Sequence, residues 1–229
     1  MTRVILVGGG NSVQEGIEKN LWEQIKEETI WSCNYAYANM PYLPSRQIWV
    51  DTSFYKHNVE DMQKLYEKGV PLHIKQHNQF AGIAEHSKQY VSSREAKNYF
   101  GRDALKRNIL FYGRMGLSGM FALSLAVAEG YDEIYLLGYD FGTSAITVKK
   151  THFYQEKMPH VYSTGVNHPE IYRMPDNKVK REVEDFKVYL NTPNLKIWNV
   201  STISNIPYFD KLSYEDFYTK LKNEGETNG

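Results

Sequence analysis

A run of three glycines near the start of the chain has the residue types of a phosphate-binding turn. Gly8, Gly9 and Gly10 follow the apolar stretch 4–7 and precede Ser12. Between a strand and a helix, such glycines let backbone N–H groups approach a phosphate at the helix N-terminus. Ser12 could cap that helix or bind a ligand oxygen. A tight strand-to-helix turn that binds no ligand is the alternative explanation.

Several common nucleotide-binding motifs are absent from the chain. Val13 stands at the third glycine of the dinucleotide fingerprint, and Cys33 and Asn34 stand where its acidic residue would follow the second strand. These differences argue against NAD. No Gly-Lys-Ser/Thr sequence occurs, which excludes a P-loop kinase, and no Asp-x-Asp pair occurs, so we expect no metal-bound diphosphate. The Asn34 amide offers a donor and an acceptor to a nucleotide base, although it could equally be a turn residue.

The segment 130–141 combines a buried strand with a candidate site residue. Ile134, Leu136 and Leu137 form an almost continuous apolar core that follows a mostly apolar helical run. This pattern is typical of a parallel sheet that is covered on both faces. Ligands of such sheets bind beyond the carboxyl ends of the strands, and Asp140 stands at that position. Asp140 could contact a ligand or anchor the loop that follows.

Strand-like and helical segments alternate along most of the chain. This alternation predicts a three-layer, Rossmann-like α/β domain with a mostly parallel sheet over residues 1–212. Residues 142–175 lose all periodicity and are predicted to be a lid or binding loop, and 213–229 a terminal helix and disordered tail. The predicted strands are 4–7, 30–34, 48–51, 71–74, 109–112, 133–138 and 195–200, and the predicted helices are 12–26, 58–69, 116–129, 176–190 and 213–221.

Charge and cysteine content limit the class of protein. Lys+Arg and Asp+Glu both number 27, so no net charge attracts nucleic acid or an anionic membrane. Cys33 is the only cysteine, which excludes an intrachain disulfide and favours a small buried thiol over a nucleophile. The sequence shows neither a targeting signal nor an apolar run of about 18 residues. We expect a soluble, cytoplasmic protein, and the sequence does not specify its oligomeric state.

Several segments, taken in order, resemble the small bacterial CMP-sialic acid sialyltransferases. Residues 4–12 look like the opening strand and glycine turn of that family, and Cys33-Asn34 resembles its Cys-Asn after the second strand. Residues 117–119 and 126–141 look like its Thr-Ser-Gly helix and the strand that follows. An archaeal pterin pyrophosphokinase and its bacterial relatives look similar in the same regions. The shared part is therefore also consistent with a nucleotide-binding fold that carries a different reaction.

The sialyltransferase resemblance implies metal-independent transfer of a sugar from a nucleotide-activated donor, without a cofactor. The glycine turn would approach the phosphate, and Asn34 and the start of the 117–129 helix would hold the nucleoside. Asp51 stands where the family has an Asn, so contact with ribose or sugar is implied in altered form. Asn11 replaces a proline of the family's glycine turn. The candidate nucleotide-binding residues are Gly8, Gly10, Ser12, Asn34, Asp51, Ser118, Gly119 and Asp140.

Transfer of a sugar also needs a base for the acceptor hydroxyl and a group that stabilises the leaving phosphate. Histidine suits the base, and the predicted lid contains His152, His160 and His168. His168 lies nearest the following predicted helix, as the family's histidine base does, and is the first candidate. The hydroxyls of Tyr154 and Tyr162 could donate hydrogen bonds to the leaving phosphate without a metal.

Three functions remain open from the sequence. The first is a glycosyltransferase-like enzyme that uses a nucleotide-activated donor such as a CMP-sugar. The second is an enzyme that transfers phosphate or pyrophosphate to a small heterocycle, which requires a divalent metal. The third is a noncatalytic nucleotide-binding protein. The expected partner is therefore a nucleotide or a nucleotide-sugar.

Overall fold

A parallel β-sheet with helices on its faces forms the framework of the protein. The computed structural model describes residues 2–76, 82–92, 109–110, 117–140, 153, 192–204 and 209–225. The strands are β1 (Arg3–Val7), β2 (Ile30–Cys33), β3 (Arg46–Trp49), β4 (Leu72–Lys75), β5 (Ser87–Ser92), β6 (Ile109–Leu110), β7 (Glu133–Leu137), β8 (Lys196–Val200) and β9 (Asp210–Lys211). The α-helices are α1 (Ser12–Glu18), α2 (Leu21–Ile25), α3 (Thr52–His57), α4 (Val59–Glu67), α5 (Ser118–Glu129) and α6 (Tyr214–Gly225), and 3₁₀ helices cover Asn34–Asn39 and Ala84–His86.

The strand order places β1 at the turning point of the sheet. Among the described residues the order is β6-β5-β4-β3-β2-β1-β7-β8-β9, and all neighbouring strands are parallel. The chain moves outward from β1 to β6 and returns to the other side of β1 as β7. Ligands of open α/β sheets bind at the carboxyl ends of the strands where the order reverses. The predicted Rossmann-like α/β fold with a parallel sheet is confirmed.

Both faces of the sheet are covered, which explains the continuous apolar strands. In β1, Val4 and Leu6 pack with α5 on one face, whereas Ile5 and Val7 pack with α1, α2 and α6 on the other. All four side chains have no exposed surface. Burial of one such side chain contributes about 1.5–3 kcal/mol. The central strands therefore need apolar residues on both faces rather than an alternating pattern.

Helix α5 is the most deeply buried helix of the described chain. Its residues from Met120 to Ala128 are all buried, as the apolar run in the sequence predicts. Gly130 ends it with a φ of 88°, which is a left-handed conformation. The N–H groups of Gly130 and Tyr131 donate to the carbonyls of Val127 and Ala126 at 3.0 and 3.1 Å. This is the Schellman arrangement, and it turns the chain directly into β7.

The predicted helix 12–26 is wrong because Asn20 divides it. Asn20 has a φ of 63°, in the left-handed region that asparagine tolerates better than most residues. The resulting turn separates α1 from α2 and lets Leu21 and Ile25 enter the core with no exposed surface.

The third strand lies earlier than predicted, at Arg46–Trp49 instead of 48–51. Its two polar residues are held by tertiary contacts. Arg46 forms an ion pair with Glu129 at 2.6 Å, and its guanidinium lies 4.0 Å from the centre of the Trp31 ring. Asp51 consequently lies between β3 and α3, a short helix that the sequence pattern did not predict.

Helix α6 continues to Gly225, beyond Lys222 where a disordered tail was predicted. Ser213 caps it, since its Oγ accepts a hydrogen bond from the Asp216 N–H at 3.1 Å. The predicted helix 176–190, and the predicted lid apart from Phe153, lie outside the described residues. Within the described part of the chain, no helix is long and apolar enough to cross a lipid bilayer.

Candidate functional site

The carboxyl ends of four neighbouring strands meet at one edge of the sheet. Gly8 follows β1, Asn34 follows β2, Val50 follows β3 and Gly138 follows β7. Helix α5 begins at the same edge, because the Val50 N–H donates to the Ser118 hydroxyl. The eight residues that the sequence nominates for nucleotide binding therefore all lie on or beside this edge.

Asn34 and Ser118 are in direct contact at this edge. The Ser118 Oγ donates a hydrogen bond to the Asn34 Oδ1 at 2.8 Å and accepts one from the Val50 N–H at 3.2 Å. Asn34 is half-buried and has a left-handed φ of 52°. The two residues that were nominated to hold the nucleoside thus form one polar group, although they lie 84 positions apart in the chain.

Gln47 supports this group from within the sheet. Its side chain is fully buried, and its Nε2 donates a hydrogen bond to the Asn34 backbone oxygen at 2.8 Å. Sequence reasoning missed Gln47 because a polar residue in a strand ordinarily indicates solvent contact. Its burial is visible only once the helices on that face are in place.

Asp51 is exposed and directly follows Val50, whose N–H donates to the Ser118 hydroxyl. It also affects Tyr35, which precedes α3 in the chain. Burial raises the pKa of the Tyr35 phenol, a hydrogen bond with Asn58 opposes this rise, and the charge of Asp51 adds to it. An exposed carboxylate at this point is suited to the hydroxyl groups of a sugar.

Tyr139 fills the space between the first turn of α5 and β2. Its hydroxyl donates to the Gly119 carbonyl at 3.1 Å and lies 3.8 Å from the Cys33 Sγ. A Cβ atom on Gly119 would lie 2.8 Å from the Tyr139 ring, so only glycine fits there. Burial raises the pKa of the Cys33 thiol to about 12, against a lowering by its hydrogen bond with Tyr139. The predicted small buried cysteine is confirmed.

Asp140 is bound by groups of the protein itself. Its carboxylate accepts hydrogen bonds from the Ser12 N–H at 2.8 Å, the Ser12 Oγ at 2.5 Å and the Ser201 Oγ at 3.1 Å. Burial raises the pKa of Asp140, and these hydrogen bonds, with one from the Asn11 backbone, oppose the rise. The side chain and the N–H of Ser12 thus hold Asp140 at the start of α1. The carboxylate takes the position of an anion at this helix N-terminus.

The glycines of the turn allow two backbones to approach closely. The Gly10 N–H donates to the Gly138 carbonyl at 2.8 Å, and Gly138 has a left-handed φ of 70°. A Cβ atom on Gly10 would lie 2.5 Å from the Asp140 carboxylate, and one on Gly8 would lie 2.8 Å from the Gly138 oxygen. The tight-turn explanation therefore accounts for Gly8 and Gly10. Their contact with a phosphate stays a prediction.

Of two further contacts at this edge, one has a weak sequence signal and the other has none. The Ser201 Oγ accepts from the Ser204 N–H at 3.0 Å, a side-chain turn that a Ser-x-x-Ser spacing after a strand can indicate. The Tyr214 hydroxyl donates to the Ser12 carbonyl at 3.1 Å, and no local pattern predicts that contact.

Comparison with known proteins gives one informative match. No protein-family model matches the chain, and no curated protein sequence matches it. The MAf glycosyltransferase from Magnetospirillum magneticum AMB-1 has a similar structure, with a TM-score of 0.53 and 16% sequence identity over 99% of this chain. The fold therefore resembles that of this glycosyltransferase. At this identity the likeness concerns the fold alone, and the chain spans only 37% of that protein's chain.

The resemblances to sialyltransferases and to pterin pyrophosphokinase have no support beyond the sequence segments that suggested them. The candidate catalytic residues His168, Tyr154 and Tyr162, and the alternative bases His152 and His160, lie outside the described residues, so their roles stay predictions. Phe153 is described. It is buried in the core, and its N–H donates to the Gly9 carbonyl at 3.3 Å.

Proposed function

We propose that the protein is a glycosyltransferase-like enzyme that transfers a sugar from a nucleotide-activated donor, such as a CMP-sugar, to a hydroxyl acceptor. The observation that carries the proposal is the contact between Asn34 and Ser118 at the carboxyl edge of a parallel sheet. Polar groups beside the point where strand order reverses commonly bind nucleotides in this architecture. The fold similarity to a glycosyltransferase supports the same class.

In this proposal the nucleoside contacts Asn34, Ser118 and Gly119, and Asp51 contacts ribose or sugar hydroxyls. The donor phosphate lies beside the glycine turn of Gly8, Gly10 and Ser12. The Asp140 carboxylate already accepts the Ser12 N–H at the start of α1. The donor phosphate therefore needs N–H groups from another element. The first turn of α5 has no side-chain cap among the described residues, and uncapped N–H groups attract anions.

The proposed reaction forms a bond between the acceptor oxygen and the anomeric carbon of the donor sugar. The bond between that carbon and the phosphate oxygen breaks, and the phosphate keeps the bonding electrons. His168 takes the proton of the acceptor hydroxyl, and Tyr154 and Tyr162 donate hydrogen bonds to the leaving phosphate. The hydrogen bond from Phe153 to Gly9 supports this arrangement, since it anchors the chain next to Tyr154 at the glycine turn. No step requires a metal.

The test is an assay of the full chain with CMP-, UDP- and GDP-sugars, each with excess EDTA and with Mg²⁺. Release of the nucleotide and transfer of the sugar would be measured by chromatography and mass spectrometry. We expect release and transfer with EDTA present. Transfer of phosphate or pyrophosphate to a heterocycle only with Mg²⁺ would favour the second function, and nucleotide binding without turnover would favour the third.

A further inference from the structure

We infer that Ser118 and Gln47 are positioning residues that hold the Asn34 amide with its nitrogen towards the ligand, so that Asn34 acts there as a hydrogen-bond donor. The inference rests on the proposed function, because it takes a nucleotide to be the ligand. It goes further by specifying which edge of the base the site accepts.

Ser118 determines the orientation of the Asn34 amide. The Ser118 oxygen already accepts a hydrogen bond from the Val50 N–H, and its own hydrogen is directed to the Asn34 Oδ1. One of the two lone pairs of the amide oxygen is therefore engaged inside the protein. The Asn34 Nδ2 has no hydrogen-bond partner within the described ranges, and the residue is only half-buried. The two N–H groups of this nitrogen are therefore offered to a ligand.

Gln47 fixes the backbone from which this amide projects. Asn34 holds a left-handed φ of 52°, and its carbonyl accepts the Gln47 Nε2 hydrogen bond at 2.8 Å. The Gln47 Oε1 has no partner among the described residues, although the side chain is fully buried. A buried amide oxygen without a partner is unfavourable and needs an explanation. The hydrogen bond that Gln47 donates to Asn34 explains why an amide stands at this buried position despite that cost.

An N–H donor held in this orientation favours a ligand edge that carries acceptors. Cytosine presents O2 and N3 as neighbouring acceptors, whereas uracil presents an N3–H donor between its two carbonyls. The Asn34 Nδ2 can donate to O2 or N3 of cytosine, whereas in uracil the N3–H opposes it and only the carbonyl oxygens accept. A phosphate oxygen is also an acceptor, so the base and the phosphate must be tested separately.

The experiment measures dissociation constants of CMP, UMP and inorganic phosphate for the full chain by titration calorimetry. We expect the wild type to bind CMP about tenfold or more tightly than UMP, and phosphate far more weakly than CMP. Asn34→Asp replaces the donor nitrogen by an acceptor oxygen, and we expect it to weaken CMP binding by about 10–100-fold. Asn20→Asp is the matched control, because Asn20 is an exposed asparagine that also has a left-handed φ, and it should leave all constants unchanged.

Changes in the preference for CMP separate positioning from a merely structural role. Ser118→Ala lets the amide rotate, so the CMP-to-UMP preference should fall towards unity, and Ser118→Thr, which keeps the hydroxyl, should retain it. Gln47→Met should also reduce the preference, since it removes the donor at similar volume.

Equal wild-type affinity for CMP and UMP, or an unchanged preference in folded Ser118→Ala, would overturn the inference while leaving the proposed function intact. Equal affinity for phosphate and CMP would overturn it too, because the base would then contribute nothing. Binding of neither nucleotide would overturn the proposed function together with the inference.

Discussion

The hydroxyl of Tyr214 donates a hydrogen bond to the backbone carbonyl of Ser12 at 3.1 Å, although the two residues lie 202 positions apart in the chain. The Tyr214 side chain is 1% exposed, and its ring packs directly over Gly16 of α1. Helix α6 therefore packs against α1, the helix that begins directly after the glycine turn. The turn, Asp140 and α6 form one connected unit, because Ser12 also binds the Asp140 carboxylate.

This packing predicts that Gly16→Ala destabilises the protein. A Cβ atom on Gly16 would overlap the Tyr214 ring, 2.5 Å from its Cζ. Overpacking of this kind costs about 1–3 kcal/mol, which outweighs the gain of up to about 1 kcal/mol that alanine has over glycine in a helix. We expect the free energy of unfolding, measured with urea, to fall by about 1–2 kcal/mol. In a Tyr214→Leu background the same substitution should cost much less, and an equal cost in both backgrounds would rule out the ring contact as the cause.

Asp140 predicts a pH dependence of stability. Burial raises its pKa in the folded state above the usual value of 3.8, despite its hydrogen bonds. Because the folded protein then binds the proton more readily than the unfolded chain, the contribution of Asp140 to stability increases as the pH falls through the raised pKa. Asp140→Asn removes this titration. The unfolding free energy of the wild type minus that of Asp140→Asn should therefore be larger below pH 3.8 than at neutral pH. Urea unfolding of both proteins between these two pH values measures this difference. A difference that is constant with pH would contradict the raised pKa.

Cys33 should resist thiol reagents in the folded protein. It is 3% exposed, and burial raises the pKa of its thiol to about 12, so almost no thiolate is present at neutral pH. We expect reaction with a chromogenic disulfide reagent to occur only as fast as the protein unfolds. Full reaction within seconds in concentrated urea is the control, and equally fast reaction of the native protein would show that the thiol is accessible.

The proposed base can be tested by single substitutions. His168→Ala should lower turnover by about 10²–10⁴-fold, the scale of a positioned general base, and should leave nucleotide binding nearly unchanged. His160→Ala and His152→Ala are the matched controls, measured by nucleotide release from the donor. A larger loss in either control would move the assignment to that residue. Near-wild-type turnover in all three variants would exclude a histidine base from this segment.

The central strands and α5 could be predicted because local pattern and tertiary environment agree. β1 and β7 are apolar on both faces, and α5 is apolar around its whole circumference. The start of β3 could not be predicted in the same way. Arg46 and Gln47 are polar. The ion pair of Arg46 with Glu129 and the hydrogen bond from Gln47 to Asn34 nevertheless allow both side chains to lie within the sheet region. Such contacts connect residues that are distant in sequence, and local propensity carries no information about them.

The residues at this edge of the sheet could be nominated from the sequence, but the contacts between them could not. Asn34, Ser118 and Asp140 stand at strand or helix ends, which is why the sequence could nominate them. The sequence did not show that Ser118 binds the Asn34 oxygen or that Ser12 binds Asp140, since the paired residues lie 84 and 128 positions apart. The second contact gives Ser12 a structural partner within the protein, and contact of Ser12 with a ligand stays a prediction.

The central position of β1 has a consequence for the order in which the protein assembles during synthesis. β1 is the first described strand to leave the ribosome, but its second neighbour, β7, begins only at Glu133. Until then one edge of this strand, which is apolar from Val4 to Val7, has no partner, and such an edge readily pairs with another chain. Nascent chains that stop before β7 should therefore depend on chaperones, and the sheet can close around β1 only after β7 has been translated.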